Sequence, residues 1–574
     1  MTTPRVGPRV LTALLTFALL VPIGRGLLHG GLDLVNADPY EVRRNAVAFS
    51  GLDMNAVPAL VDQILAPTTS LSLGPSFFED RQYGADFWYQ ATYAFYPRRI
   101  EASSSHLLEI RRSGDSSDGV VLGRIDDRRS LVLLGPPDPS PGPAGLKETA
   151  LDPLGIGLAA ASILGLGLLV RFLLRLPSGS TMEVTLSGVF VIAVAAHLAT
   201  WFQVPLPWRW LSALGLVVAA FAAVKGRIRA FRAARRVWRC RSPWGLLPLL
   251  VVVLSLGRAS LIPPTEWDGR FIWLFHGSQL HFSGFLDVTE SAALTPLQPT
   301  YPLLTPTLFS FGSIWRDAFN ERTAVLLGVM LHAAVVGAIA RIAMARMGAL
   351  RGALFASLCA GLSMGRTTEA YADGLLASTL VLEFLALERA GTARLGWLAL
   401  ACAALTKREG LPLALIVALV QRGWGEWRAA AAWLSPALVH VLWCRFVGLS
   451  HEMDAPRLSP DIADLLSRSE LIVRKAAGVV ARNKLYSAAA IGLIALVLRR
   501  APGSRTAASA LRVALCYLAF FFITFLVTPQ PLVWHLDTAL SRLALHPVLF
   551  VFLSGFALWR ATSLPGGASP GRPL

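Results

Sequence analysis

The chain has 574 residues, of which 54% are hydrophobic and 16% charged, against about 25% charged in soluble domains. That balance and a mean hydropathy of +0.54 argue against a soluble enzyme, since runs of about 20 apolar residues can each cross a hydrocarbon core of ~30 Å. In a soluble protein the net charge of +17 would suggest a nucleic-acid partner. Here the densest basic run, Lys225 to Arg241, lies between two apolar segments and reads as a cytoplasmic loop, so no nucleic-acid partner is expected. The cysteines at 240, 359, 402, 444 and 516 show neither a disulfide framework nor zinc spacing.

The first apolar run, about Val10 to Ile23, follows Arg5 and Arg9. It reads as an uncleaved anchor within residues 1–35, a cleaved signal segment being the other reading. Residues 36–150 then form a polar, extracytoplasmic segment. Within it His106–Arg112, Val120–Ile125 and Ser130–Leu134 predict short strands, with Asp126 to Arg129 as a turn. A small α+β domain is expected, closed by a linker, Gly135 to Pro143, whose prolines fix φ and remove backbone donors. Phe87–Arg99 reads as an amphipathic helix ending at Pro97.

Apolar runs follow at about 154–174, 183–203, 208–224 and 244–262, then at 322–341, 352–366, 374–388, 395–406, 410–421, 428–447, 485–498, 508–528 and 547–560. With the first run they predict an all-α polytopic membrane protein of about fourteen crossings. Residues 151–243 carry the additional helices and the basic loop, residues 244–562 the remaining helices, and residues 563–574 a cytoplasmic tail. Alternating sides from an inside N-terminus place Arg171/Arg175, Arg341/Arg346/Arg351, Arg389/Arg394, Arg422, Arg499/Arg500/Arg505 and Arg560 in the cytoplasm, as the positive-inside rule requires. Only a hairpin over 395–421, possible as a re-entrant pair of short arms, keeps that parity. The stretches 263–321, 448–484 and 529–546 then fall outside, with the turns Arg366–Asp373 and Thr406–Gly410.

Chemistry is expected on that outer face. Glu266 and Asp268 emerge beside Trp267 and Trp273 just after an apolar run. A carboxylate at an aromatic interface can bind a sugar hydroxyl or act as a general base; an aromatic belt with solvated acids is the alternative. Lys407 and Arg408 put two cations against the charge bias, and Lys407 is one of only five lysines. Glu409 can neutralise one of them and a phosphate the other, unless both merely snorkel. Glu369 and Asp373 flank Tyr371 before an apolar run, where acids also suit a helix N-terminus. Trp534, His535, Asp537 and Arg542 form a last outer group, but a His and an Asp two residues apart do not share a helical face. His197 and His332, inside apolar runs, read as hydrogen-bonded helix residues.

Three ordered strings carry a family resemblance: Glu266-Trp-Asp-Gly-Arg-Phe-Ile-Trp273 followed by Tyr301-Pro-Leu-Leu-Thr-Pro306, then Glu369-Ala-Tyr-Ala-Asp-Gly374, then Leu405-Thr-Lys-Arg-Glu-Gly410. Through them residues from about 244 to 560 resemble the GT-C superfamily of membrane glycosyltransferases, in particular its family 39-like, dolichyl-phosphate-mannose-protein mannosyltransferase-like bacterial branch. The paired Asp-Glu of the better-known mannosyltransferases is absent, the order here being Glu-Trp-Asp.

The resemblance implies a GT-C-like catalytic region over 244–562 and a polyprenyl-phosphate sugar as donor. It also implies an acid in the first large outer loop as base, by position Asp268, with Glu266 as the other candidate. A second acid near the acceptor is matched by Asp373, with Glu369, Trp267 and Tyr301 as further acceptor or sugar contacts. Lys407, with Arg408 and Arg270, is matched to the donor phosphate, and His535 and Arg542 are outer-face contacts. No cofactor is called for, and a divalent metal stays open. The expected activity is hexosyl transfer to a lipid, glycan or protein acceptor at the outer face of a bacterial inner membrane. The alternative is a transporter or flippase that carries a lipid-linked glycan without catalysis.

Overall fold

The computed structural model describes residues 71–73, 100–101, 107–112, 120–126, 129–134, 151–176, 179–237, 242–262, 264, 268–287, 298–449, 462–498 and 504–562. The first apolar run, the segment Phe87–Arg99, the Pro-rich linker, and Glu266 and Trp267 lie outside the described residues.

Five strands form one sheet in the order β2-β1-β3-β5-β4: β1 Leu71–Leu73, β2 Ile100–Glu101, β3 Leu107–Arg112, β4 Val120–Asp126 and β5 Arg129–Leu134. β3 runs antiparallel to β5, with Leu107 opposite Leu134, and β4 and β5 form the hairpin expected around Asp126–Arg129. The β4 register shifts after Val121 and again after Arg124, irregularities of the kind that bend and twist an antiparallel pair. β1 pairs parallel to both β2 and β3. The helical half expected of an α+β domain falls outside the described residues.

Every apolar run from 154 onward is helical. In chain order the helices are α1 Pro153–Leu173, α2 Thr181–Phe202, α3 Trp208–Val237, α4 Leu246–Leu261, α5 Phe275–Ser283, α6 Leu304–Gly312, α7 Glu321–Met347, α8 Ala349–Thr368, α9 Ala372–Leu387, α10 Ala393–Thr406, α11 Gly410–Arg422, α12 Trp427–Phe446, α13 Ile462–Arg482, α14 Lys484–Leu498, α15 Arg505–Leu526, α16 Leu532–Leu543 and α17 Leu545–Thr562. The ends are set locally. Asp152 caps α1 by accepting from the Gly155 N–H at 2.9 Å, and Ser180 with Glu183 forms a capping box on α2.

Among the described residues eight helices are long and apolar enough to cross a membrane, or nine if the bent pair α13–α14 counts as one span. The chain is thus a polytopic membrane protein, with fewer membrane-length helices than the fourteen crossings expected. One of the fourteen expected runs lies outside the described residues, and part of the remaining difference has a physical cause. α9, α10 and α11 have 16, 14 and 13 residues, which at 1.5 Å per residue is less than a full hydrocarbon core. Three stretches read from sequence as outer loops also hold helices. α5 and α6 occupy part of 263–321, α13 occupies 462–482, and α16 lies within 529–546.

Buried side chains of α7, α8, α9, α10, α15 and α17 share one large apolar core. α9 is at its centre, with every residue from Ala372 to Leu387 buried. At its C-terminal end Glu388 pairs with Arg346 of α7 and accepts from the Thr506 hydroxyl of α15. At its N-terminal end lies the group described next.

Candidate functional site

The site is assembled around the N-terminus of α9. Asp373 sits in the first turn of that helix, where a carboxylate also complements the helix dipole. Lys407 follows the C-terminal end of α10 in extended backbone, at the tip of the α10–α11 hairpin read from the sequence. Its Nζ donates to Asp373 Oδ1 at 3.0 Å and lies 3.3 Å from Glu409 Oε1, so one ammonium is held by two carboxylates. Both members of the Lys407–Asp373 pair are buried, so the pair is bought out of water by its own contacts. Burial alone would raise the Asp373 carboxyl, but the Lys407 ammonium, with Arg542 behind it, holds it well below the usual carboxylate range. Burial opposes the charge on Lys407 as well, and Asp373 and Glu409 override it, so the ammonium titrates above its ordinary value. The second oxygen of Asp373, Oδ2, is buried without a hydrogen-bond partner.

Asp268 begins a π-helical turn, Gly269–Leu274, that leads into α5. A Cβ on Gly269 would stand 2.1 Å from the Glu369 carbonyl oxygen, so this turn can lie against the 369–370 backbone only because the residue is glycine. Ala370 there adopts a left-handed φ of 61°. The close approach joins the first and second recognised strings. A third element joins them to the C-terminal part of the chain. Arg542, near the end of α16, donates through Nη1 to Asp268 Oδ2, and its Cζ lies 5.1 Å from the Tyr371 ring centre. Arg366 approaches the same ring at 5.8 Å.

Tyr301 belongs to this group. Its ring stacks on Trp273 with centroids 5.2 Å apart and planes 5° apart. Burial, then the charge of Glu409, keeps its phenol far above the ordinary value, so it stays a neutral hydroxyl; Lys407, Asp268 and Arg542 also act on it. The backbone beside it is gripped by two buried histidines that sequence reasoning did not connect to the site. His197 Nδ1 lies 2.7 Å from the Ala193 carbonyl, leaving Nε2 to accept from the Leu303 N–H at 3.2 Å. His440 Nδ1 accepts from the Trp201 indole, leaving Nε2 to donate to the Thr300 carbonyl at 3.3 Å. Nothing in the sequence links residues 197 and 440 to 301, because the contacts come from three separate helices and loops.

The other expected residues divide clearly. Glu369 is engaged by Arg258 of α4, with which it pairs. Arg270 is 9% exposed, and its Nε has no hydrogen-bond partner among the described residues. Arg408 lies beside Lys407 in the same turn. His535 bonds through Nδ1 to the Thr528 hydroxyl at 2.7 Å, whereas Asp537 pairs with Lys475 at 2.7 Å, so the two residues do part company as their spacing requires. His332 is hydrogen-bonded to Thr367 at 2.7 Å and Ser378 at 2.8 Å, a packed helix residue. Among the described residues no group of three or more His, Cys, Asp or Glu is arranged to hold a metal.

The arrangement thus gathers carboxylates at 268, 373 and 409, cations at 407 and 542, and a stacked aromatic pair from five chain segments. Compared with known proteins, the chain matches no family model, no curated protein and no solved structure.

Proposed function

We propose that the chain is a GT-C-type glycosyltransferase of the bacterial inner membrane, moving a sugar from a polyprenyl-phosphate donor to a hydroxyl of a lipid, glycan or protein at the outer face. The observation that carries the reading is the grouping of Asp268, Asp373, Lys407 and Arg542 around one helix end. Acids that can accept a proton stand there beside cations that can face a phosphate, and all but Arg542 come from the strings that carry the family resemblance.

In the transfer, the acceptor oxygen forms its bond to the anomeric carbon as its proton passes to the Asp268 carboxylate. The bond from that carbon to the phosphate oxygen breaks, and polyprenyl phosphate leaves with inverted stereochemistry at the sugar. The phosphate gains negative charge as it departs, so cations fixed beside it stabilise the transition state more than the ground state. Arg542, Arg270 and Arg408 are the cations for that charge, with Lys407, the cation matched by the resemblance, acting on it only from its place between Asp373 and Glu409. Asp373, Tyr301 and Trp267 suit the sugar and acceptor hydroxyls, and Glu266 is the alternative base.

A second reading is favoured by one feature. Glu383 lies wholly buried inside α9, and neither of its oxygens has a hydrogen-bond partner among the described residues. An ionisable residue inside a membrane helix is a common mark of a transport path, which fits a flippase for a lipid-linked glycan. Purified protein in vesicles with a polyprenyl-phosphate hexose and a mixed acceptor pool separates the two. Release of polyprenyl phosphate with labelled sugar on an acceptor is the expected result. Movement of intact lipid-linked glycan across the bilayer with no transfer would favour the transporter.

A further inference from the structure

We propose that Arg542 is the direct ligand of the donor phosphate and that it latches Asp268 while the site is empty, so that the base is released only once the donor is in place. This rests on the glycosyltransferase reading above and adds an order of events to it.

The choice of Arg542 over Lys407 follows from occupancy. The Lys407 side chain is 5% exposed and already sits between Asp373 and Glu409. A phosphate reaching it would have to displace a carboxylate from a buried pair and leave that carboxylate uncompensated, which is strongly unfavourable. The Arg542 and Asp268 side chains are 13% and 25% exposed. Arg542 uses Nε on the Thr538 carbonyl and Nη1 on Asp268 Oδ2, with a single contact to the acid. A guanidinium offers five N–H groups in a fork that matches two phosphate oxygens. A phosphate that engages the Nη edge competes directly with Asp268 for Nη1.

The consequence concerns Asp268. Its Oδ2 accepts a hydrogen bond from Arg542, so while the pair holds the guanidinium occupies the side from which an acceptor hydroxyl would approach that oxygen. When the phosphate draws Arg542 away, that side of Oδ2 is opened in a carboxylate that is 25% exposed. Tyr371, whose ring faces Arg542 at 5.1 Å, offers the guanidinium a surface to pivot on between the two anions. Donor would therefore bind before an acceptor becomes reactive.

The test is binding of undecaprenyl phosphate, a dianionic lipid probe, to the full chain in nanodiscs, with thermal unfolding measured alongside. Arg542→Gln should weaken binding about tenfold or more, as expected for loss of a charge-assisted fork. Arg542→Lys, which keeps the charge and loses the fork, should fall between. Asp268→Asn should tighten binding several-fold, because it removes the competitor. The decisive arm is the double variant. Asp268→Asn should give no gain when Arg542 is already Gln, since the competition acts through that one residue. A gain of equal size in both backgrounds would mean simple charge repulsion and would overturn the latch, as would an Asp268→Asn variant that binds like wild type. Either result leaves the donor reading intact. If the wild-type chain fails to bind the probe at all, the polyprenyl-phosphate reading itself fails, and the latch with it. Inorganic phosphate at the same concentration should not displace the lipid; displacement would overturn assignment of this site to a lipid-borne phosphate.

Discussion

Lys407 Nζ lies 3.0 Å from Asp373 Oδ1, with both side chains buried and the two residues 34 positions apart in the chain. This contact ties the α10–α11 hairpin to the first turn of α9. It changes what substitution of Lys407 should do. Read from sequence, the lysine is a phosphate ligand whose loss leaves the fold intact. In the structure its loss strands Asp373 and Glu409 without their cation.

Lys407→Met is therefore expected to lower stability substantially, by about 3–5 kcal/mol, the usual cost of breaking one side of a buried pair. Adding Asp373→Asn should recover part of the loss, because the stranded charge is removed. Thermal unfolding in detergent of both variants checks this. An unchanged midpoint for Lys407→Met would mean that the lysine is solvated and free for other work.

The pH dependence of that pair follows from the two shifts. Asp373 is depressed on folding, so its stabilising contribution is present above the unfolded carboxylate value of about 3.9 and is lost as pH falls through the lower folded value. Lys407 is raised, so its contribution is fully present below about 10.4 and is lost only as pH rises through the higher folded value. The stability gap between wild type and the Lys407→Met/Asp373→Asn double variant, which strands no charge at position 373, should then stay flat between about pH 5 and 9. A gap that opens or closes across that range would show that one partner titrates within it.

The fold was legible where periodicity carries it and the site only in part. Thirteen apolar runs were readable as helices, and three strands were placed within a residue or so of their observed limits, because hydrophobic pattern and turn chemistry are local signals. The strings at 266–273, 369–374 and 405–410 held Asp268, Asp373 and Lys407. The helices α5, α6, α13 and α16 were missed, since they lie in stretches whose polarity resembles that of loops. Arg542 was visible only as a loose outer contact. Its place on Asp268 depends on how α16 packs, 274 residues away, and no spacing rule reports that. The two histidines around Tyr301 were read correctly as packed residues where considered, yet their effect on the site is tertiary.

His197 and His440 are accordingly expected to act as positioning residues. His197→Leu keeps an apolar body but leaves the buried Leu303 N–H without its acceptor, a loss of about 1–3 kcal/mol. Amide exchange across residues 298–303 should accelerate more than exchange in the helices around it. Transfer should lose kcat more than donor affinity, because Tyr301 is proposed to contact the sugar and not the phosphate. Unchanged exchange in that loop would show that Tyr301 is held by the Trp273 stack alone.

The central claim is that Asp268 takes the acceptor proton, and its most direct test is the rate of sugar transfer by Asp268→Asn in the reconstituted system. The substitution keeps the shape and removes the basic oxygen. A positioned base typically contributes ~10²–10⁴-fold, so transfer should fall by about that factor while undecaprenyl phosphate binding is not weakened but tightened. Asp537→Asn, whose carboxylate is half exposed and paired with Lys475, is the control and should transfer at the wild-type rate. Full activity of Asp268→Asn, with activity lost instead in Glu266→Gln, would contradict the account and make Glu266 the base.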